Sequence, residues 1–294
     1  RLAQRIRRRR AGGAQDDASV CHGLTLRAAG HGARQDGGLR LGSVLILLPP
    51  SESKAEGRRG SRCTDPGALS FPALGPVRAR VAAALAQASE RPDAPALLGV
   101  SPNLIAEIRR NTRLATAPAV PAGRLYTGVL YDALDLPGLS PAAKRRATAW
   151  IVVVSALYGA LRLSDRAAAY RLSMGADLPD LPRLAELWRP GLDQVLTPLV
   201  RRGVVVDCRS AAYVAAWPPP AALADRWAQV RVPGASHWAK HTRGLVAHAI
   251  CADGIDPRSV PDLAAALAEH FDVAAHEPPR RGKPWVLDVS PRGS

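Results

Sequence analysis

Residues 152–165 read Val-Val-Val-Ser-Ala-Leu-Tyr-Gly-Ala-Leu-Arg-Leu-Ser-Asp. An apolar run of this kind is a buried strand. It enters a turn at Ser155 to Gly159 and leaves it presenting Arg162, with Tyr170 and Arg171 a short way on. A strand that ends in a glycine turn and then offers guanidinium groups is suited to holding an anion as well as closing a core.

The rest of the chain repeats the theme. Apolar runs at 44–48, 150–154, 204–208, 228–232 and 285–289 read as strands. Helices are expected over 77–89, from Ser101-Pro102, from Ser140-Pro141, over 181–199 with a break near Pro190-Gly191, over 239–251 and over 261–270. Arg124 to Gly128 reads as a loop or strand end, and 58–66 as an exposed excursion. The proline-rich joints at 118–121 and 217–220 read as loops inside one domain. Strands alternating with helices define a mixed α/β class, here a single compact domain over residues 43–294.

Residues 1–42 lack periodicity and carry nine arginines against three aspartates. They read as a disordered or extraneous basic extension, and their first ten residues do not lead into the apolar segment of a signal peptide. The whole chain has a net charge of +15. That excess favours a polyanionic partner or a small anionic ligand; an arginine-rich coding bias accounts for it equally well. Cys21, Cys63, Cys208 and Cys251 have neither zinc nor disulfide spacing, which suits a reduced, cytosolic protein. No apolar run approaches the length of a membrane span.

Known cofactor signatures are missing: no dinucleotide glycine pattern, P-loop, zinc-protease helix or nucleophile elbow occurs. His237 and His241 could share a helix face, but no third metal ligand is evident. No metal and no cofactor are therefore expected. Polar groups instead follow the strand ends: Glu52 and Lys54 after the first, Ser155 and Tyr158 after the third, Asp207 and Arg209 after another. In α/β sheets such ends converge on one edge, where ligands bind. Lys240 and Arg243 add positive charge from a helix start, and Tyr126 and Tyr131 flank a Tyr-Thr-Gly turn. This set could clamp phosphates, with arginine forks as bidentate donors. It could position an anionic substrate for proton transfer by Glu52, Lys54 or Tyr158. It could also be structural ion pairs at loop bases. The turn Leu136-Pro137-Gly138-Leu139, before a basic helix, could be a hairpin offering backbone N–H groups to DNA phosphates.

Five ordered motifs carry a family resemblance. They are Pro-Ser-Glu-Ser-Lys ending at Lys54; Tyr126-Thr127-Gly128; the long stretch from Ser155 through Arg162 to Tyr170-Arg171; Asp207 through Arg209 and Ser210 to Tyr213; and Lys240 with Arg243-Gly244. In these the chain resembles the peroxide stress protein YaaA family. The resemblance implies a compact α/β fold with a positively charged cleft and a helix-hairpin-helix-like element. It implies a cytosolic role against hydrogen peroxide, partly through lower free iron, and binding of double-stranded DNA. Enzymes on small anionic or nucleoside-like molecules are the alternative for members near biosynthetic genes. The family's Phe-x-x-x-Gly-Tyr element is replaced here by Phe271 to His276, which implies a missing aromatic wall of the pocket.

Overall fold

The computed structural model describes residues 44–200, 203–234 and 236–292, with the backbone alone at 236 and 237. The basic extension expected over 1–42 and the His237 side chain lie outside the described residues. Nine strands are described: β1 (Val44–Leu48), β2 (Ala119–Pro121), β3 (Ile151–Ser155), β4 (Gly159–Arg162), β5 (Arg166–Ala168), β6 (Val204–Asp207), β7 (Trp227–Arg231), β8 (Phe271–His276) and β9 (Trp285–Pro291). Seven form one sheet in the order β4-β3-β1-β6-β7-β9-β8. Its five inner strands are parallel, and the edge strands β4 and β8 run antiparallel to their neighbours.

Every residue of β1, β3 and β6 is buried. Both faces of these strands are therefore covered, which is why they read as unbroken apolar runs and not as alternating ones. The chain leaves β1 toward β3 and leaves β6 toward β7, on opposite sides. The crevice at the carboxyl ends of β1 and β6 is the point where such a sheet takes ligands.

Serines start the helices where the sequence places them. The Ser140 side chain accepts from the Ala143 amide ahead of Pro141–Trp150. Ser101 accepts from Asn103 ahead of a short 3-10 turn and the helix Ile105–Arg110. Both are N-cap bonds with proline at the first helical position.

Three expectations change. The helix Leu184–Leu196 runs through Pro190 without a break. Its residues Leu184, Trp188, Leu192 and Leu196 are all buried, and burial of that face outweighs the one hydrogen bond that proline removes. The joint at 118–121 is largely strand, since β2 pairs with β5 in a small second sheet. Residues 271–276 form β8, four strand positions from β1 and so about 19 Å away across the sheet. The missing Gly-Tyr is therefore no loss to a pocket built beside β1.

Candidate anion-binding site beside the first strand

After Leu48 two prolines end β1, and the chain turns back as a partly exposed loop. Two backbone hydrogen bonds hold that loop against residues 125–127: Ala55 N–H donates to Leu125 O at 2.8 Å and Thr127 N–H to Ser53 O at 3.2 Å, together making a β-bridge between Lys54 and Tyr126. A tyrosine props the other end, for the Tyr131 hydroxyl donates to Pro49 O at 2.7 Å. The loop is thereby fixed where Lys54 meets the rings of Tyr126 and Tyr170.

Lys54 Nζ lies 4.2 Å from the centre of the Tyr170 ring and 5.8 Å from that of Tyr126. It donates to Ser51 O at 2.7 Å and Glu52 O at 3.3 Å. Burial, and then the neighbouring Arg171 guanidinium, pull its pKa from 10.5 down to about 7, against the opposing pull of Glu107 and Glu52. Tyr170 is held in turn by Ser155, whose Oγ lies 2.7 Å from the Tyr170 hydroxyl and accepts from the Leu157 and Tyr158 amides. Burial raises the Tyr170 and Tyr126 phenols well above their ordinary value, so both stay protonated.

Arg171 spans two carboxylates, donating to Glu52 Oε2 at 3.1 Å and Glu107 Oε2 at 3.2 Å. Its backbone is clasped by Asn111, which takes the Arg171 N–H and donates to the Arg171 carbonyl. Glu52, Lys54, Glu107, Arg110 and Tyr170 line a small pocket of about 120 Å³. Arg110 also lines a larger, half-open hollow of about 550 Å³, together with Glu56, Arg59, Arg109 and Arg113. Arg110 pairs with Glu56 at 2.8 Å; among the described residues Arg59, Arg109 and Arg113 have no ion-pair partner.

The structure gathers Glu52, Lys54, Tyr126, Ser155, Tyr170 and Arg171 around one point. Of the other candidates, Tyr158 touches this group with its ring edge-on to that of Tyr170, centroids 5.5 Å apart, while Arg162, Asp207, Arg209 and Arg243 make their hydrogen bonds elsewhere. Arg162 pairs with Val152, at the opposite end of β3 from Ser155, and its guanidinium donates to Ala149 O. Antiparallel pairing after a tight turn carries it back along the strand and away from the loop. Tyr158 points its hydroxyl at Ala168 O, 3.2 Å away, and lines a separate, mostly apolar cavity of about 210 Å³ beside Arg78. Burial lifts its phenol to about 12, leaving it ill suited to moving a proton near neutrality.

Asp207 and Arg209 lie at the sheet's carboxyl edge but are consumed by each other. Arg209 donates from Nε and Nη2 to the two Asp207 oxygens, both at 2.8 Å, with each side chain fully buried. Trp217 and Trp227 rings flank the guanidinium, and Trp227 Nε1 donates to Asp207. Arg243 donates to Val230 O at 3.3 Å, while Ser210 and Lys240 are exposed. The hairpin at 136–139 does join two helices, Val129–Leu134 and Pro141–Trp150. Its Gly138 amide, however, donates to the Asp135 carbonyl and side chain, and Lys144 donates to Pro137 O.

Glu107, Arg109, Arg110 and Arg113 stand in the sequence as a charged run on the helix opened at Ser101, opposite its apolar Leu104 and Ile108. Their spacing signals a solvated face, and only the fold brings Glu107 and Arg110 to the Lys54 pocket and Arg109 and Arg113 to the larger hollow. Tyr213, whose phenol burial raises to about 12, also senses the Glu52 carboxylate.

Fold and site together define an α/β protein with a cluster of ionisable side chains beside the carboxyl end of the first strand of a largely parallel sheet. The profile of the peroxide stress protein YaaA family matches residues 44–277, and the chain belongs to that family. It is 44% identical to a UPF0246 protein of Streptomyces coelicolor over 255 residues, covering 84% of this chain and 98% of that one. A UPF0246 protein of Corynebacterium glutamicum is 33% identical over 254 residues, covering 84% and 100%. One from Corynebacterium efficiens is 37% identical over 215 residues, covering 70% and 84%.

Proposed function

We propose that this chain binds the phosphates of double-stranded DNA, without strong sequence readout, as part of a cytosolic peroxide-stress role. The observation that carries the reading is a set of arginines on the rim of one hollow, Arg59, Arg109 and Arg113, with no ion-pair partner among the described residues. Guanidinium forks bind phosphate oxygens bidentately, and one outside any ion pair gives up none to do so. Of the arginines foreseen for this work, Arg162, Arg209 and Arg243 already donate to protein oxygens, and Arg171 donates to the Glu52 and Glu107 carboxylates. The thiols of Cys208 and Cys251 are free and buried, as suits a reducing compartment. Among the described residues no helix is long and apolar enough to cross a membrane. The test is a titration of duplex DNA at several salt concentrations with the native chain and with Arg109→Ala/Arg113→Ala. Loss of affinity and a flatter salt dependence in the variant support the reading; identical curves refute it.

A second reading, a small phosphorylated ligand in the same place, has one observation in its favour. The pocket at Lys54 holds only about 120 Å³, far too little for a base pair.

A further inference from the structure

We propose that Lys54 is a nucleophilic amine that forms a reversible imine with the aldehyde of an open-chain sugar phosphate. The inference rests on phosphate recognition by the arginine hollow and names the chemistry of the smaller pocket beside it.

Geometry supplies the first argument. Ser51 O and Glu52 O accept two hydrogens from Lys54 Nζ. A neutral amine has two hydrogens and one lone pair, so these acceptors satisfy it and leave the pair free. The ring of Tyr170 covers one side of the nitrogen and excludes water there. A lysine desolvated on an aromatic wall and set beside another cation, here Arg171, is the environment that activates an amine toward carbonyls.

The second argument is the adjoining space. The Lys54 pocket has the volume of about four water molecules. That admits the aldehyde end of a sugar and little more. Arg110 lines both this pocket and the arginine hollow. One molecule can therefore place its carbonyl at Lys54 and its phosphate among Arg109, Arg110 and Arg113.

The step balances without an outside reagent. The Nζ lone pair attacks the carbonyl carbon, and the C=O π electrons move to oxygen. That oxygen takes a proton released by the nitrogen, giving a carbinolamine. Its hydroxyl then leaves with a second proton as water, and a C=N bond remains. Glu52 and Glu107, lining the same pocket, are the carboxylates available to carry those protons.

The chain has only four lysines, Lys54, Lys144, Lys240 and Lys283, so the test needs no variant. The full chain is incubated at pH 7 with sodium cyanoborohydride and either ribose 5-phosphate, ribose, or a DNA duplex carrying an abasic deoxyribose. Labelled peptides are then mapped by mass spectrometry. Reductive capture at Lys54 at least tenfold above the other three lysines, and at least tenfold greater with a phosphorylated sugar than with ribose, supports the proposal. Capture of the abasic duplex over ribose 5-phosphate assigns the sugar phosphate to DNA, and the reverse assigns it to a free metabolite. Labelling spread evenly over the four lysines overturns the imine, while DNA binding is judged separately by its salt titration. Selective capture that ignores the phosphate overturns the sugar-phosphate class and leaves the reading of the hollow to the salt titration.

Discussion

Ser155 Oγ lies 2.7 Å from the Tyr170 hydroxyl, fifteen residues away in the chain, and through it sets the ring on which Lys54 rests. The serine closes the turn after β3 with two amide bonds, and its remaining capacity fixes a pocket wall. Ser155→Ala leaves the Leu157 and Tyr158 amides without their acceptor, and the Tyr170 hydroxyl without its Ser155 partner, in a fully buried place. The expected loss is about 2 kcal/mol of stability, read as a lowered urea midpoint at unchanged slope. An unchanged midpoint would mean that the turn does not depend on the serine.

Reversing charge at the hollow separates electrostatics from fold. Arg109→Glu and Arg113→Glu change exposed side chains that have no ion-pair partner among the described residues, so melting temperature should hold. DNA affinity should fall, and the slope of log K against log salt should flatten by about 1 for each phosphate that is no longer neutralised. Lys240→Glu, on a different helix, is the comparison; an equal effect there would disperse the interface over the whole surface.

Asp207 and Arg209 predict the opposite profile. Asp207→Asn leaves a buried guanidinium without its counter-charge between two tryptophans. Removing one partner of such a pair costs about 3–5 kcal/mol, so the variant should unfold at markedly lower urea or fail to accumulate. A replacement of both residues by apolar side chains of similar volume should recover much of the loss.

Lys54 gives stability a pH signature. Its pKa is about 7 in the folded chain, against 10.5 for a solvated lysine. Between those values the unfolded chain holds a proton that the native chain has released, so stability rises with pH across that window. Below it both states carry the proton, and the cost of burying the charge is felt in full. Urea midpoints for the native chain and Lys54→Met, taken at pH 6, 8 and 10, check this: the variant should lose that rise and gain most at pH 6. Parallel curves would place the Lys54 pKa at its ordinary value.

The strands β1, β3 and β6 were legible because parallel strands covered on both faces are apolar throughout, and the serine–proline helix starts because capping is local chemistry. The edge strands β4 and β8 were missed. Gly159–Arg162 is too short to show a period, and Phe271–His276 mixes exposed with buried positions. Of the site, the cluster around Lys54 followed from loops at the carboxyl ends of strands. The arginines could not be sorted that way. Whether a guanidinium meets a carboxylate two residues off, as Arg209 does, or solvent, as Arg113 does, depends on backbone direction after each turn. Arg162 shows the same thing: a tight turn at Ser155 to Gly159 reverses the chain and takes the residue to the far end of its strand.

Gly244 sits so close to the neighbouring helix Val129–Leu134 that a Cβ there would come within 2.2 Å of the Leu130 carbonyl oxygen. That helix also carries Tyr131, whose hydroxyl holds Pro49 O at the root of the Lys54 loop. A methyl group at 244 would have to push the helix outward, and the tyrosine would travel with it. The missing side chain thus acts as a spacer of zero thickness, calibrating from behind one helix how tightly the lysine is gripped.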